Sequence, residues 1–594
     1  MKYAEYLTEN LKINEGYTHC YFVAGGNIMH LLDAARTRFI CIPVINEVAA
    51  GIAVEYFNET NKEGHKAFAL VTAGPGLTNI VTAIAGAYLE ARELLVIGGQ
   101  VKRADLKTGQ IRQRGIQEID GRAIVAPITN CSALIKEPLL FGEIQKYLHS
   151  NPKPGPVFLE LPLDVQAEPI NYEIQPFIEW VSNEKNHEQI TTLAREIVNS
   201  LKICNRPIIL LGGGLTRTAA AKFNKELIDT GIPIMTTWNG ADRYGADQDN
   251  YWGRPNTWGQ RAANILIQQS DCLIVIGSRL GLQQTGFAWQ EFAPLAKIFQ
   301  IDIDASELTK GHPSIYRGLA CDAASFLEIF MDSFGNYKSE TTGWLNFGKQ
   351  VINQFPLNDV NNVTSPGYID PYEFVAELSN QLDKEDIVIP CSSGGGFTVM
   401  LQAFRVKYGQ TMVSNKGLAS MGYGLAAALG ASESTQSRTI LVEGDGGFAQ
   451  NLQELGTVRQ RNPNLKIFIF SNSGYASIRM TQRNYFGGTY LGCDIDTGLG
   501  MPKWEFIARA YDISFYEIED ATKMSEQLKN ILCQSGPSLV IVKIDPEQTY
   551  YPKITSRVLR DGSMTSNPLH LMSPDLSPEQ IKEFLPYLED TIKH

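Results

Sequence analysis

The chain has 594 residues, 44% hydrophobic, 20% charged and 10% aromatic, a globular composition too long for one core, so three domains of ordinary size are expected. A net charge of −12 spread along the sequence argues against nucleic acid or an anionic membrane as partner, though not against small anions that local cations and backbone N–H groups can hold. The nine cysteines form no CxxC pair, no apolar leader opens the chain and no apolar run nears the length of a membrane span, so a reducing, cytoplasmic setting is expected.

From residue 1 to 170, short β-rich runs (CYFVA, FALVTA, LLVIGG, VFLELP) alternate with helical stretches at 48–60 and 78–91. This is the pattern of an α/β domain on a parallel sheet. The polar stretch 171–190 reads as a linker. A second α/β unit over 190–345 contains RPIILLGGG, GIPIMTTW, DCLIVIGSR and AKIFQIDID, each an apolar run entering a turn. After another polar stretch, 335–368, a third unit over 369–548 carries strands near 387–390, 439–443, 466–470 and 538–544. The tail, 549–594, has little periodicity, but Tyr550, Tyr551, Leu569 and Met572 are core-type residues and favour packing over a neighbouring surface. The expected fold class is α/β, with three doubly wound parallel-sheet domains.

The stretch LVEGDGGFAQNLQELGTVRQRNPNLKIFIFSNSGYASI, 441–478, carries the chemistry. If 439–443 and 466–470 are adjacent parallel strands joined by a helix over 448–461, Asp445 and Asn472 emerge side by side at the carboxyl edge of the sheet, where open α/β sheets bind ligands. A carboxylate, an amide oxygen and a nearby backbone carbonyl form a hard-oxygen set suited to Mg²⁺, an ion that fills its shell with phosphate oxygens and water. Gly444, Gly446 and Gly447 let the backbone approach a phosphate and leave N–H groups free at a helix start. GDGG alone is as readily a βα turn with a capping Asp; the 27-residue spacing from Asp445 to Asn472 favours a Mg²⁺-bridged diphosphate.

GDGG followed by SNSGY resembles the thiamine diphosphate (ThDP) signature, GDG with a later NN, Ser471 standing at the first Asn. Nearly the whole chain resembles the acetolactate synthase large-subunit family, in the order pyrimidine-binding, central and diphosphate-binding domain. The resemblance implies Asp445 and Asn472 as side-chain ligands of Mg²⁺, with the Gly474 carbonyl as a third, and counts Gly26 and Tyr475 among the cofactor contacts. VINEVAAGIAVEYF resembles the family's E-x-x-A-G/A helix, where the Glu acts on the pyrimidine ring, so Glu47 takes that role; Asn46 replaces the His often found before it. Without the resemblance, a solvated helix-start residue is the commoner reading of Glu47. GLASMGYGLAAALG matches GLGTMGYGLPAAIG, which implies Met421 beneath the bent cofactor and backbone groups of Ala419 and Met421 on its aminopyrimidine. TAGPGLTN is similar to SGPGATN and gives Asn79 a place near the pyrimidine; SSGGG puts Gly394 and Gly395 at the diphosphate; RQRGIQEID puts Gln117 near the reactive carbon.

No His-His pair occurs. The decarboxylase branch of the family uses such a pair to release aldehyde, so its absence favours passing the two-carbon fragment to an acceptor. Where the family carries D-D-R-V-T-G, with an Arg for the acceptor's carboxylate, this chain has SRLGLQQTG with Gln283, and Thr481 replaces the Trp of the acceptor pocket. The expected reaction is decarboxylation of pyruvate with ligation to an acceptor other than a simple 2-keto acid, a keto-sugar nucleotide among the candidates. The alternatives are an ordinary acetolactate synthase and, in another class, an inactive ThDP-fold binding protein. GGG, GSR and DID remain where the family binds FAD, but Gly281 and Gln283 alter two contacts, leaving FAD open. The resemblance further implies a homodimer or homotetramer with ThDP bridging two chains, Glu47 from one and Asp445 from the other, and a tail that can close over the site.

Overall fold

A computed structural model describes residues 1–174, 187–335, 341–391, 393–558 and 564–588. Most of the 171–190 linker lies outside the described residues. Three parallel sheets organise the chain. The first holds Tyr17–Phe22 (β1), Ile40–Pro43 (β2), Lys66–Val71 (β3), Leu94–Gln100 (β4), Cys131–Leu134 (β5) and Pro156–Pro162 (β6), in the order β2-β1-β3-β4-β6-β5. The second holds Pro207–Leu211 (β7), Ile234–Thr236 (β8), Cys272–Ile276 (β9), Lys297–Asp302 (β10) and Arg317–Ala320 (β11), in the order β11-β10-β9-β7-β8. The third holds Ile387–Pro390 (β12), Thr411–Met412 (β13), Thr439–Gly444 (β14), Leu465–Ser471 (β15), Ser514–Ile518 (β16) and Ser538–Lys543 (β17), in the order β13-β12-β14-β15-β17-β16. The inner strands are near-continuous apolar runs because helices cover both faces. The first and third sheets share one topology, so two similar halves flank the central domain.

Of the helices, Glu47–Thr60 (α1) and Pro75–Glu90 (α2) belong to the first domain. Gly394–Ala403 (α3), Gly424–Glu433 (α4), Asp445–Phe448 (α5), Leu455–Arg461 (α6) and Ala476–Phe486 (α7) belong to the third. Asn46 caps α1 by accepting the Val48 N–H at 3.0 Å, and Pro75 opens α2 with a fixed φ. The two domains share a core in which Ala50, Ala53, Ile80 and Ala83 meet Leu425 and Ala428. Backbones touch there: a Cβ at Gly430 would lie 2.0 Å from the Ala53 carbonyl.

β14 and β15 pair in parallel, and the strand ends fall close to those expected. The helix expected over 448–461 is instead α5, a 3-10 turn Leu452–Glu454, and α6. Asn451, at φ −140, leaves the helical basin, and its amide donates to the Gly422 carbonyl at 3.2 Å, a bond that an unbroken helix would forgo. The polar stretch 335–368 holds a helix, Thr342–Gln354, whose Trp344 and Val351 are buried. The tail packs on the central domain. Leu569, Phe584 and Leu585 join the core of Trp252, Leu266 and Phe292, and Met572 is buried beside Asn264 and Arg261.

Candidate active site

In the third sheet the chain leaves β12 toward β13 on one side and later returns to β14 on the other. The gap between the carboxyl ends of β12 and β14 is the switch point at which such sheets bind ligands. Gly394 and Gly395 follow β12, Asp445 follows β14, and Asn472 follows β15. A Cβ at Gly394 or Gly444 would meet nothing within 4 Å, so both face open space.

Asp445 opens α5 and is 1% exposed. Its carboxylate accepts the N–H groups of Gly446 at 2.7 Å, Asn472 at 3.1 Å and Gly474 at 3.1 Å. Burial pushes its pKa up to about 6 while these N–H groups pull it down. No cation pairs with it among the described residues. Ser473 at φ 68 and Gly474 at φ 118 fold the turn that delivers those N–H groups, and a Cβ at Gly474 would lie 2.5 Å from the Cys493 carbonyl. The Tyr475 ring covers Gly446, where a Cβ would come within 2.4 Å of it, and a Cβ at Gly447 would come within 3.0 Å of Glu443. An acid buried without a counter-charge, beside an amide side chain in a neighbouring turn, offers a divalent ion the charge balance that the protein leaves unmet. The set contains only one carboxylate, and no cluster of three or more His, Cys, Asp or Glu residues suited to a metal occurs among the described residues.

Residues that the sequence does not advertise hold this turn. Arg479 is buried and donates to the Asn472 carbonyl at 2.8 Å and to Asp494 at 3.2 Å. The Tyr550 hydroxyl bonds the Asn472 side chain, and a Cβ at Gly395 would lie 2.7 Å from that hydroxyl. Glu443, on β14 two residues before Asp445, is 2% exposed, and burial pushes its pKa up to about 8. Met421 is 40% exposed and follows Ala419 at φ 54. Gln450 bridges it to the far side of the site, with its amide 3.6 Å from the Met421 sulfur and 3.3 Å from the Tyr475 hydroxyl.

In the first domain, Glu47 and Asn79 come together. The Asn79 amide donates to the Glu47 carboxylate at 2.9 Å, and Glu47 is buried at the start of α1. Gly26 sits just past β1 with open space at its Cβ position. Gln117 is exposed at φ 62, held by Glu118, whose buried carboxylate accepts the N–H groups of Lys107, Arg114 and Gly115. Gly74 makes room for it, since a Cβ there would lie 2.4 Å from the Gln117 carbonyl. No hydrogen bond joins Glu47 to the Asp445 group among the described residues. The two sets are linked through Glu454, which is fully buried and accepts the N–H groups of Ile45 at 3.1 Å and Asn46 at 3.0 Å. An acid between Leu452 and Leu455, on the buried side of a helical stretch, was the available signal for Glu454.

Comparison with known proteins matches three stretches of the chain to named domains. Residues 1–124 match the N-terminal TPP binding domain of thiamine pyrophosphate enzymes, 194–329 their central domain and 393–542 their C-terminal TPP binding domain. The chain is 29% identical over 563 residues to the acetolactate synthase large subunit of Porphyra purpurea, covering 91% of this chain and 92% of that one. It is 29% identical to the probable acetolactate synthase large subunit of Methanocaldococcus jannaschii, covering 92% and 93%. To the acetolactate synthase isozyme 1 large subunit of Escherichia coli it is 26% identical, covering 90% and 92%.

Proposed function

The chain belongs to the thiamine pyrophosphate-dependent enzymes and is of their carboligase type, and from that premise we propose that it decarboxylates pyruvate and joins the two-carbon unit to a carbonyl acceptor. In this reading the Asp445 carboxylate, the Asn472 amide oxygen and the Gly474 carbonyl hold Mg²⁺ against the coenzyme's diphosphate. The observation that carries it is the buried, cation-free Asp445 carboxylate bonded to the turn of Asn472 and Gly474 at the sheet's switch point. When bound, the coenzyme supplies a carbon nucleophile and a sink for the electrons that CO₂ leaves behind. Gly394 and Gly444 give the phosphates room, Gly395 and Gly447 offer N–H donors in the first turns of α3 and α5, and Gly446 spends its N–H on Asp445. Glu47 holds and exchanges a proton at the pyrimidine ring nitrogen, its carboxyl oriented by Asn79. Ala419, Met421, Gly26 and Tyr475 shape the ring pocket, and Gln117 faces the reacting carbon.

CO₂ release from pyruvate with ThDP and Mg²⁺ tests this reading, with Glu47→Gln expected to slow release about a hundredfold or more. Undiminished turnover in that variant removes the proton role. A panel of aldehydes, keto acids and keto-sugar nucleotides, with products identified by mass, gives the acceptor. The names of the relatives favour a second reading, condensation of two pyruvates to acetolactate. Rapid acetolactate formation from pyruvate alone decides for it. Retention of Glu47, Asp445 and Asn472 disfavours an inactive ThDP-fold protein.

The central-domain turns that the resemblance places at FAD are bonded among themselves. Gly212 and Gly277 pack so closely that a Cβ at Gly212 would lie 2.1 Å from the Gly277 carbonyl, and that carbonyl already takes the Gly214 N–H at 2.9 Å. The Asp304 carboxylate is held by Lys153 at 2.6 Å, and Asp302 accepts the Asp304 N–H at 2.9 Å. The proposed reaction draws on no flavin chemistry. A homodimer or homotetramer is favoured by exposed apolar side chains beside the site residues: Ile45 at 59%, Ile116 at 86% and Met421 at 40%. No helix among the described residues is long and apolar enough to cross a membrane.

A further inference from the structure

Four lysines in the described chain have pKa values that burial lowers, and they differ in what their ammonium groups meet. Lys407 donates to the Ser379 and Leu382 carbonyls, and Lys466 to those of Gln534 and Gly536. Both have the oxygen acceptors that a buried ammonium needs. Lys553 has none. Its Nζ lies 5.4 Å from the Trp258 ring centre, 5.3 Å from that of Tyr551 and 3.5 Å from the Met480 sulfur. Rings and a thioether stabilise a cation only in part. The charged neighbour it feels is another cation, Arg483.

The place of this ammonium gives it meaning. Thr257 donates its N–H to the Gln283 carbonyl at 2.9 Å and accepts the Ile554 N–H at 2.9 Å, so Gln283, Trp258 and Lys553 lie on three chain segments bonded side by side. Met480 lies on α7, next to Thr481 and one residue beyond Arg479, which grips the Asn472 carbonyl. Tyr550, which bonds the Asn472 side chain, is three residues before Lys553, at most about 10 Å of extended backbone. The chain segments that carry Gln283 and Thr481, the two positions that set this sequence apart in the acceptor region, therefore meet at one half-buried cation supplied by the C-terminal tail.

We propose that Lys553 recognises a negatively charged oxygen group, a carboxylate or a phosphate, on the carbonyl acceptor. The assignment rests on the carboligase reading above and makes Lys553 a specificity residue of that site. The Trp258 and Tyr551 rings and the Met480 sulfur hold the ammonium in place and keep its hydration low, so an arriving anion completes a charge-assisted hydrogen bond at small entropic cost. The acceptor pocket has lost an arginine in sequence but keeps a cation in space. Its planar two-pronged donor becomes a compact one, which suits a phosphate as well as a carboxylate.

The test uses the ThDP- and Mg²⁺-loaded enzyme with pyruvate as donor and three acceptors: 2-ketobutyrate, glyceraldehyde 3-phosphate and neutral propanal. In Lys553→Met, the ratio of kcat/KM for the better anionic acceptor to that for propanal is expected to fall about thirtyfold, mostly through KM, with Lys553→Arg recovering most of it. The anion whose ratio falls identifies the group recognised. An unchanged ratio, or equal losses for charged and neutral acceptors, overturns the assignment. A turnover-independent arm separates this outcome from failure of the carboligase reading. In the wild-type protein, 2-ketobutyrate or inorganic phosphate should slow acetylation of Lys553, read by mass spectrometry, about fivefold relative to 2-butanone. Equal acetylation rates reject Lys553 as an anion site. Absence of CO₂ release from pyruvate alongside such protection counts against the reaction and not against the site.

Discussion

The backbone N–H of Asn472 donates to the carboxylate of Asp445 at 3.1 Å, so the turns that end two neighbouring strands form one unit before any ligand arrives. The cost of that unit is an acid buried without a counter-ion. Asp445→Asn keeps the shape, removes the charge and turns one carboxylate oxygen into an amide donor facing donors. The expected outcome is loss of Mg²⁺-dependent ThDP binding by about a hundredfold or more, read by equilibrium dialysis. Mg²⁺ should stabilise the wild type to heat in the presence of ThDP and leave this variant unmoved. A variant that binds ThDP with unchanged Mg²⁺ dependence rules out Asp445 as a ligand.

Glu454 positions Glu47 without touching it. Its carboxylate fixes the two N–H groups just ahead of α1, at Ile45 and Asn46, and in turn accepts the Thr457 hydroxyl at 2.7 Å. Glu454→Gln should fold, because an amide keeps one acceptor, yet lower kcat about tenfold with little change in KM for pyruvate. Glu454→Ala leaves two N–H groups unpaired and should cost about 2–4 kcal/mol of stability in denaturant melts. A Gln variant with wild-type kcat makes the contact purely structural.

The feature most legible in the sequence was written locally. Adjacent strands 27 residues apart, each running into a Gly- and Asx-rich turn, place Asp445 beside Asn472 through backbone geometry alone. For Glu47 the apolar helix alone left a solvated helix-start acid the commoner reading, and the family resemblance gave it the ring role. What was missed depends on chain segments far apart in sequence. Glu454 is explained only by its partners at 45 and 46, and Lys553 only by Trp258 and α7. The broken helix after α5 has the same cause, since Asn451 leaves the helix to bond Gly422, nearly thirty residues earlier. Helix 342–354 reads as polar because its apolar residues are interspersed with polar ones: only Trp344 and Val351 are buried, with Leu345, Phe347 and Ile352 partly covered, against Trp252 and the central core.

Mixing chains settles whether Glu47 and Asp445 of one site come from two copies. Glu47→Gln and Asp445→Ala chains, each inactive alone, are co-expressed with different tags and the hybrid is isolated. If a site spans two copies, one of the two sites in each hybrid dimer carries both intact residues, so purified hybrids should recover about half the wild-type rate. If both residues act within one chain, the hybrid stays inactive.

His570 sets an acid limit on the seating of the tail. It is 4% exposed, its Nδ1 is 3.1 Å from the Gln268 amide, and burial alone lowers its pKa to about 4. A neutral ring accepts that amide N–H; a protonated ring would face it donor to donor. With the folded value below the ordinary 6.5, the unfolded or released tail binds the extra proton. The stabilisation is therefore fully present above pH 6.5 and is lost progressively as pH falls toward 4, by about 3 kcal/mol in all. Amide exchange in residues 564–588 should accelerate between pH 6.5 and 4.5, after correction for intrinsic rates, while exchange in β14 and β15 holds. His570→Gln, which keeps an acceptor and cannot titrate there, should remove the acceleration. Persistence of the same pH dependence in that variant means that another group releases the tail.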